Sequence, residues 1–232
     1  MEKGNPQLAN TCFEEALPLA RAIQAPFVLP GVLLYMGIMH TSTGEFIQAE
    51  ATIQEGAEIA HRLYAARWQA IGLWVAGHLA FLRDDMGKAR SDLRLGLQLE
   101  GELHRGQTNA HIEEMLGRVE IVDQDLAGAR ARLTRSFTAL QEQCLIPCLA
   151  HGLESWARLA LAQGEPQRTV RILGAIDAHL KGLGMTMIPL EQALYDQTLA
   201  AVQQQLNATT FQQEWTAGEK LNLEQAIELA MR

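Results

Sequence analysis

Leu33 to Gly56 reads LLYMGIMHTSTGEFIQAEATIQEG. Its apolar and small residues fall at helical spacing on either side of a turn. Leu33, Met36 and Gly37 put an apolar stripe with a small notch on a first helix. Ser42, Thr43 and Gly44 form the turn. Ala49, Ile53 and Gly56 put a matching stripe on a second helix. One hairpin cannot bury its own stripe, so it must stack on copies of itself.

The copies are present. The small residue of the first helix recurs as Gly37, Gly77, Gly117 and Ala157, each step being 40 residues. The second-helix alanine recurs as Ala9, Ala49, Ala89 and Ala129, then Thr169. Four residues further on stand Phe13, Ile53, Leu93, Leu133 and Leu173. A third column holds Ala16, Gly56, Gly96, Ser136 and Ile176. Small residues let antiparallel helices approach, and a large apolar residue fills the space beside them.

These columns resemble the tetratricopeptide (TPR) pattern, here Leu33-x2-Met36-Gly37 followed by Ala49-x3-Ile53-x2-Gly56. The resemblance implies an all-α, right-handed superhelical solenoid of stacked antiparallel hairpins, acting as a non-catalytic protein- or ligand-binding scaffold. Two features depart from it. The usual TPR period is about 34 residues, and 40 also falls in the HEAT and armadillo range. The proline that closes the second helix is absent, while Pro26, Pro30 and Pro147 stand near the starts of first helices, where a fixed φ suits initiation.

The repeats are expected over 1–184: a half repeat at 7–24, then hairpins at 30–42/45–62, 67–83/86–103, 108–123/126–143 and 149–163/166–182. Residues 185–232 are expected to be a helical cap. There Pro189 opens a helix to about Leu206, Thr209 caps a short helix that Gly218 breaks, and Asn222-x2-Gln225 starts the last one. The helix at 7–24 has no first-helix partner, which implies either a piece of a longer protein or self-association as a homodimer.

The ending carries a narrower resemblance. Arg171-Ile172-Leu173-Gly174-Ala175, Tyr195, Leu199, Phe211-x3-Trp215-x2-Gly218 and Leu223 to Ile227 resemble the extreme C-terminus of large bacterial transcriptional regulators. Those proteins join an ATPase module and often a LuxR-type DNA-binding domain to TPR-like repeats. The resemblance implies a sensor or interaction region whose ATPase and DNA reader lie elsewhere.

Net charge is −8 over 232 residues, which argues against direct nucleic-acid binding. No signal segment is recognisable, and the longest apolar run, Phe27 to Met39, is interrupted by Pro30 and too short to span a bilayer. A cytoplasmic protein without membrane contact is expected. Cys12, Cys144 and Cys148 form no disulfide framework and are expected as reduced thiols, most of them buried. No phosphate-binding loop, zinc spacing or nucleophile motif occurs, so neither enzymatic activity nor a cofactor is expected.

Two first helices carry one polar triplet in the same register: His111-x2-Glu114-x3-Arg118 and His151-x2-Glu154-x3-Arg158. Spacings of three and four put each triplet on one helix face. The preceding repeat offers Ile71, Trp74 and His78. In TPR proteins this face lines the concave groove, so Trp74, His78, His111, Glu114, Arg118, His151, Glu154 and Arg158 are the candidate ligand-binding residues, for a protein, a peptide or a small anion. The same triplets also fit ion pairs that hold the stack. A metal-dependent enzyme built on His111, Glu114, His151 and Glu154 is a third alternative, opposed by the charge of Arg118 and Arg158. Trp156 and Met36 are expected in the core, and His61, His104 and His179 in solvent.

Overall fold

The computed structural model describes residues 6–23, 27–103, 107–142, 146–187 and 189–232. Among these there are twelve helices and no strand. They fall into two compact units, Met1–Val119 and Glu120–Arg232.

The first unit contains α1 (Pro6–Ala22), α2 (Leu29–Thr43), α3 (Phe46–Arg62), α4 (Ala66–Leu82), α5 (Met86–Leu103) and most of α6 (Gln107–Val122). Each of α1 to α4 packs on the next, and α2 also packs on α4. Helices α2 and α4 are apolar nearly all round and are buried on several faces. Helix α3 buries only the stripe Ala49, Ile53, Gly56 and Ala60, as a helix with one covered side should.

The 40-residue register is visible as a repeated contact. A Cβ on Gly37 would meet Ile53 Cγ1 at 2.6 Å, and one on Gly77 would meet Leu93 Cγ at 2.7 Å. The same pair of positions therefore closes both hairpins, and a side chain at either glycine would push the helices apart. Ala49 and Ala89 are fully buried beside these contacts. Two core clusters result. Leu34, Ile53, Ile71 and Val75 belong to one, and Phe81, Leu93, Ile112 and Leu116 to the other.

The turns repeat as well. Gly44, Asp84, Gln124 and Gly164 all have positive φ, at 79°, 61°, 63° and 76°. The following residue donates its N–H back five positions: Glu45 to His40 O, Asp85 to Ala80 O, Asp125 to Glu120 O and Glu165 to Ala160 O, at 2.8–2.9 Å. This is the left-handed C-terminal stop of one helix. Each of these four acidic residues stands at the start of the next helix, its backbone carbonyl accepting from Ala49, Ala89, Ala129 or Thr169 N–H. The side chains of Asp85 and Asp125 also cap it, accepting from Lys88 and Gly128 N–H, whereas Glu45 and Glu165 make no side-chain cap. A carboxylate there also suits the positive helix end.

The second unit contains the end of α6, then α7 (Leu126–Glu142), α8 (Ile146–Ala162), α9 (Pro166–Leu183), α10 (Pro189–Gln203), α11 (Ala208–Glu219) and α12 (Leu223–Met231). Helices α10 and α12 each pack on α8 and α9, and α11 packs on α9. Ala129, Leu133, Trp156, Thr169 and Leu173 are buried at the register positions. Helix α9 ends on Gly184, with φ 62° and Met185 N–H bonded to Leu180 O. Tyr64 and Ala65 make the same turn 120 residues earlier, so the register runs on into the start of α10.

Helix α11 crosses α9 through two glycines. A Cβ on Gly174 would meet Trp215 O at 2.7 Å, and one on Gly218 would collide with the backbone of Arg171. Glu214 accepts from Arg171 Nε across the same crossing, which raises the guanidinium pKa. The last carbonyls of α12 are capped by arginines. Arg130 Nη1 donates to Met231 O at 3.0 Å, and Arg168 donates to Leu229 O and Ala230 O at 3.0 and 2.5 Å.

Some details depart from the sequence expectation and others meet it. Helix α11 is capped by Asn207, which accepts from Thr210 N–H, and not by Thr209. Gly218 lies inside its last turn instead of breaking it. Pro18 sits within α1. Cys12 is exposed, while the side chains of Cys144 and Cys148 lie outside the described residues. His61 is exposed, His104 lies outside the described residues, and His179 is half-buried with a buried Nε2. Trp156 and Met36 are in the core, and the capping box of Asn222 and Gln225 is formed.

Candidate functional site

In the first unit, α4 and α6 present Trp74, His78, His111, Glu114 and Arg118. The Trp74 indole stacks on the His111 ring, with centroids 4.9 Å apart and planes 15° from parallel. Trp74 also packs against both apolar clusters, so its ring is held from behind. Trp74, His78 and His111 are half-buried. Glu114 and Arg118 are buried, and Arg118 Nη2 donates to Glu114 Oε1 at 2.9 Å. Glu113 is buried beside them in sequence. A buried pair of this kind is costly to break because each partner leaves the other charged and dry.

In the second unit the register-equivalent pair does something visible. Arg158 Nε donates to Glu154 Oε1 at 2.6 Å. Its Nη2 reaches Leu194 O at 3.3 Å and Gln197 Oε1 at 3.4 Å, both on α10. Thr198 Oγ1 donates to Glu154 Oε1 at 3.0 Å. Leu194 and Thr198 stand 40 residues after Glu154 and Arg158, so the pair fastens one register-equivalent helix to the next. On the same helix Tyr195 donates to Leu173 O at 3.2 Å. Burial, with Asp177 and Asp196 adding to it, pushes its hydroxyl pKa well above the usual value. His151 lies in α8, and its side chain is outside the described residues.

The structure thus gathers Trp74 and His111 into one half-exposed platform. It gathers Glu154 and Arg158 with Leu194, Gln197 and Thr198, three residues that the sequence reading passed over. Extending the 40-residue columns by one more step would have found Leu194 and Thr198. Among the described residues no group of three or more His, Cys, Asp or Glu is placed to hold a metal ion, and no helix is long and apolar enough to cross a membrane. An open cavity of about 460 Å³ lies between α7 and α12, lined by Gln141, Glu224, Ile227, Glu228, Met231 and Arg232. It includes none of the residues singled out from sequence.

No known protein family, curated protein or solved structure matches the chain.

Proposed function

We propose that the chain is a TPR-like helical-repeat scaffold without catalytic activity, its hairpins stacked as a right-handed solenoid. In this proposal it serves as the cytoplasmic sensor or interaction region of a larger bacterial regulator. The supporting observation is that one contact set recurs at one period: Gly37 on Ile53 and Gly77 on Leu93, with the positive-φ turns at 44, 84, 124 and 164. Stacked repeats of this kind present continuous surfaces to partners.

The ligand proposed is a peptide, protein segment or small molecule with an acidic group, taken by the Trp74–His111 platform and His78. An aromatic ring fixed from behind suits a contact residue, and an imidazole N–H can donate a hydrogen bond to an acidic group. Glu114 with Arg118 acts in support, fixing the helix that carries His111, while Glu154 with Arg158 joins α8 to α10 within the second unit.

Thermal shift with inorganic anions, nucleotides and acidic peptides tests this. A ligand at about 100 times its Kd should stabilise the folded chain by roughly 2.7 kcal/mol. The shift should vanish in Trp74→Ala and His111→Ala. A shift that survives both substitutions, or no shift with any probe, would remove the platform as the binding site.

A further inference from the structure

Tyr64 is 89% exposed, more than any other large apolar side chain among the described residues. It also sits in left-handed backbone, at φ 52°. A side chain in that region costs stability, and the same turn at the end of α9 uses Gly184 instead. A ring so exposed returns nothing through burial. Folding therefore does not account for Tyr64, and strain kept at an exposed aromatic points to a contact outside the chain.

The charges around it depart from the rest of the chain. Between Glu58 and Asp84 there is no Asp or Glu, although acids outnumber lysines and arginines 27 to 19 overall. Arg62 ends α3 and Arg67 stands in the first turn of α4, and both are exposed. Neither side chain makes an ion pair or hydrogen bond to a described residue, whereas the arginines of α1, α6, α8 and α9 pair with glutamates. Glu58, the nearest acid in the chain, is engaged by Gln54 Nε2 at 3.0 Å. Glu45, Asp84 and Asp85 lie at the opposite end of the antiparallel α3 and α4. The 17 residues of α3 put them roughly 25 Å away, well past a screening length of about 8 Å.

The turn is held in place. Ala65 N–H donates to Ala60 O at 3.0 Å and Tyr64 N–H to His61 O at 3.1 Å, so Arg62 and Arg67 flank Tyr64 at short range. Next to Arg67, the Trp68 ring is wedged against α2. A Cβ on Gly31 would strike it at 2.6 Å, and Tyr35 meets it edge-on at 6.3 Å. The start of α4 is thereby fixed, and a patch on fixed backbone loses little freedom on binding.

We infer that the α3–α4 turn is a docking point for an acidic segment of a partner protein, with Tyr64 covering an aliphatic residue and Arg62 and Arg67 pairing with carboxylates on either side. Arginine forks suit carboxylates, and tyrosine suits an apolar contact with a polar rim. Single-stranded nucleic acid fits less well. Two arginines neutralise two phosphates at most, and a chain of net charge −8 repels the remainder. The patch is separate from Trp74 and His111 and does not rest on their reading.

Fluorescence anisotropy of the full chain with a short labelled peptide of glutamate and leucine tests this. The expected Kd is about 10–100 μM, weakening with added salt. The same peptide with glutamine for glutamate should bind at least about 10-fold less tightly. Arg62→Gln with Arg67→Gln should weaken binding by about 10-fold or more with no change in Tm, because neither side chain has a partner to lose. Arg94→Glu, at an exposed site on α5, changes the net charge by the same two units and should leave binding unchanged. Tyr64→Gly should raise Tm by relieving the left-handed backbone and still weaken binding. No binding of the acidic peptide at about 1 mM would overturn the inference, as would equal binding of its glutamine counterpart or equal weakening by Arg94→Glu. So would peptide binding lost in Trp74→Ala but kept in the arginine variant. Without peptide binding, an oligothymidine bound through these arginines, or self-association that they control, would give the patch to another occupant and likewise overturn it.

Discussion

Replacing Gly174 or Gly218 by alanine should destabilise the protein, although alanine is the better helix former. In both cases the added methyl would meet backbone, which cannot rotate away. At Gly174 it would lie 2.7 Å from Trp215 O and 3.4 Å from Trp215 Cα. Helices α9 and α11 would have to separate by several tenths of an ångström. Overpacking of that kind costs about 3 kcal/mol at its upper range, against a gain of about 1 kcal/mol in helix propensity. The net loss is about 2 kcal/mol, or roughly 4–8 °C in Tm for a chain of this size. Gly218→Ala should cost more, because its three nearest contacts all belong to the Arg171 backbone and all are closer. Gly182 provides an internal control on α9. It is exposed and helical, with nothing within 4 Å of an added Cβ. Gly182→Ala should therefore raise stability by about 0.5–1 kcal/mol. The assay is thermal and urea denaturation of the three single variants side by side. If Gly174→Ala and Gly218→Ala were to stabilise as Gly182→Ala does, the close crossing of α9 and α11 would be refuted. The double variant should lose less than the sum, since helices already parted accept the second methyl cheaply.

Arg158→Ala should cost about 3 kcal/mol, because Glu154 stays buried without its cation, and should speed amide exchange in α10. Unchanged stability with loss of ligand-induced stabilisation would instead assign Arg158 to binding. Gln124→Gly should stabilise by about 0.5–1 kcal/mol by removing a side chain from a left-handed position, and Gly44→Ala should destabilise by about 1 kcal/mol for the converse reason. Both are read from urea midpoints. Tyr195 has a raised folded-state pKa, so its contribution is constant while pH stays below about 10, the value for an unfolded tyrosine. Above that the unfolded chain ionises first and stability falls with pH. Tyr195→Phe should flatten this alkaline loss and cost about 1 kcal/mol at neutral pH for the bond to Leu173 O; an alkaline unfolding profile identical to the parent's would count against it.

The helices and their turns were legible because small and large residues repeat at one period, and each turn contains a residue suited to left-handed backbone or an acidic cap. Gly218 was misread as a breaker, since a glycine near a helix end carries the same local signal whether it stops the helix or admits a neighbour. Only the approach of Arg171 distinguishes the two. Thr209 and Asn207 are both good caps, and two residues of register separated them. For the polar triplets, spacing gave the helix face but not what the face meets. The role of Arg158 depends on Leu194 and Gln197, more than thirty residues away. Trp74 and His111 stack although no local pattern links an indole to an imidazole 37 positions later.

Native-state hydrogen exchange resolved to single amides tests the repeat most directly. Ile53, Leu93, Leu133 and Leu173 occupy one column, each at most 5% exposed. If one repeating packing unit underlies the scaffold, their amides should be among the slowest in the chain, giving protection that rises and falls with a 40-residue period. Protection confined to one of these helices, or distributed without that period, would contradict the account.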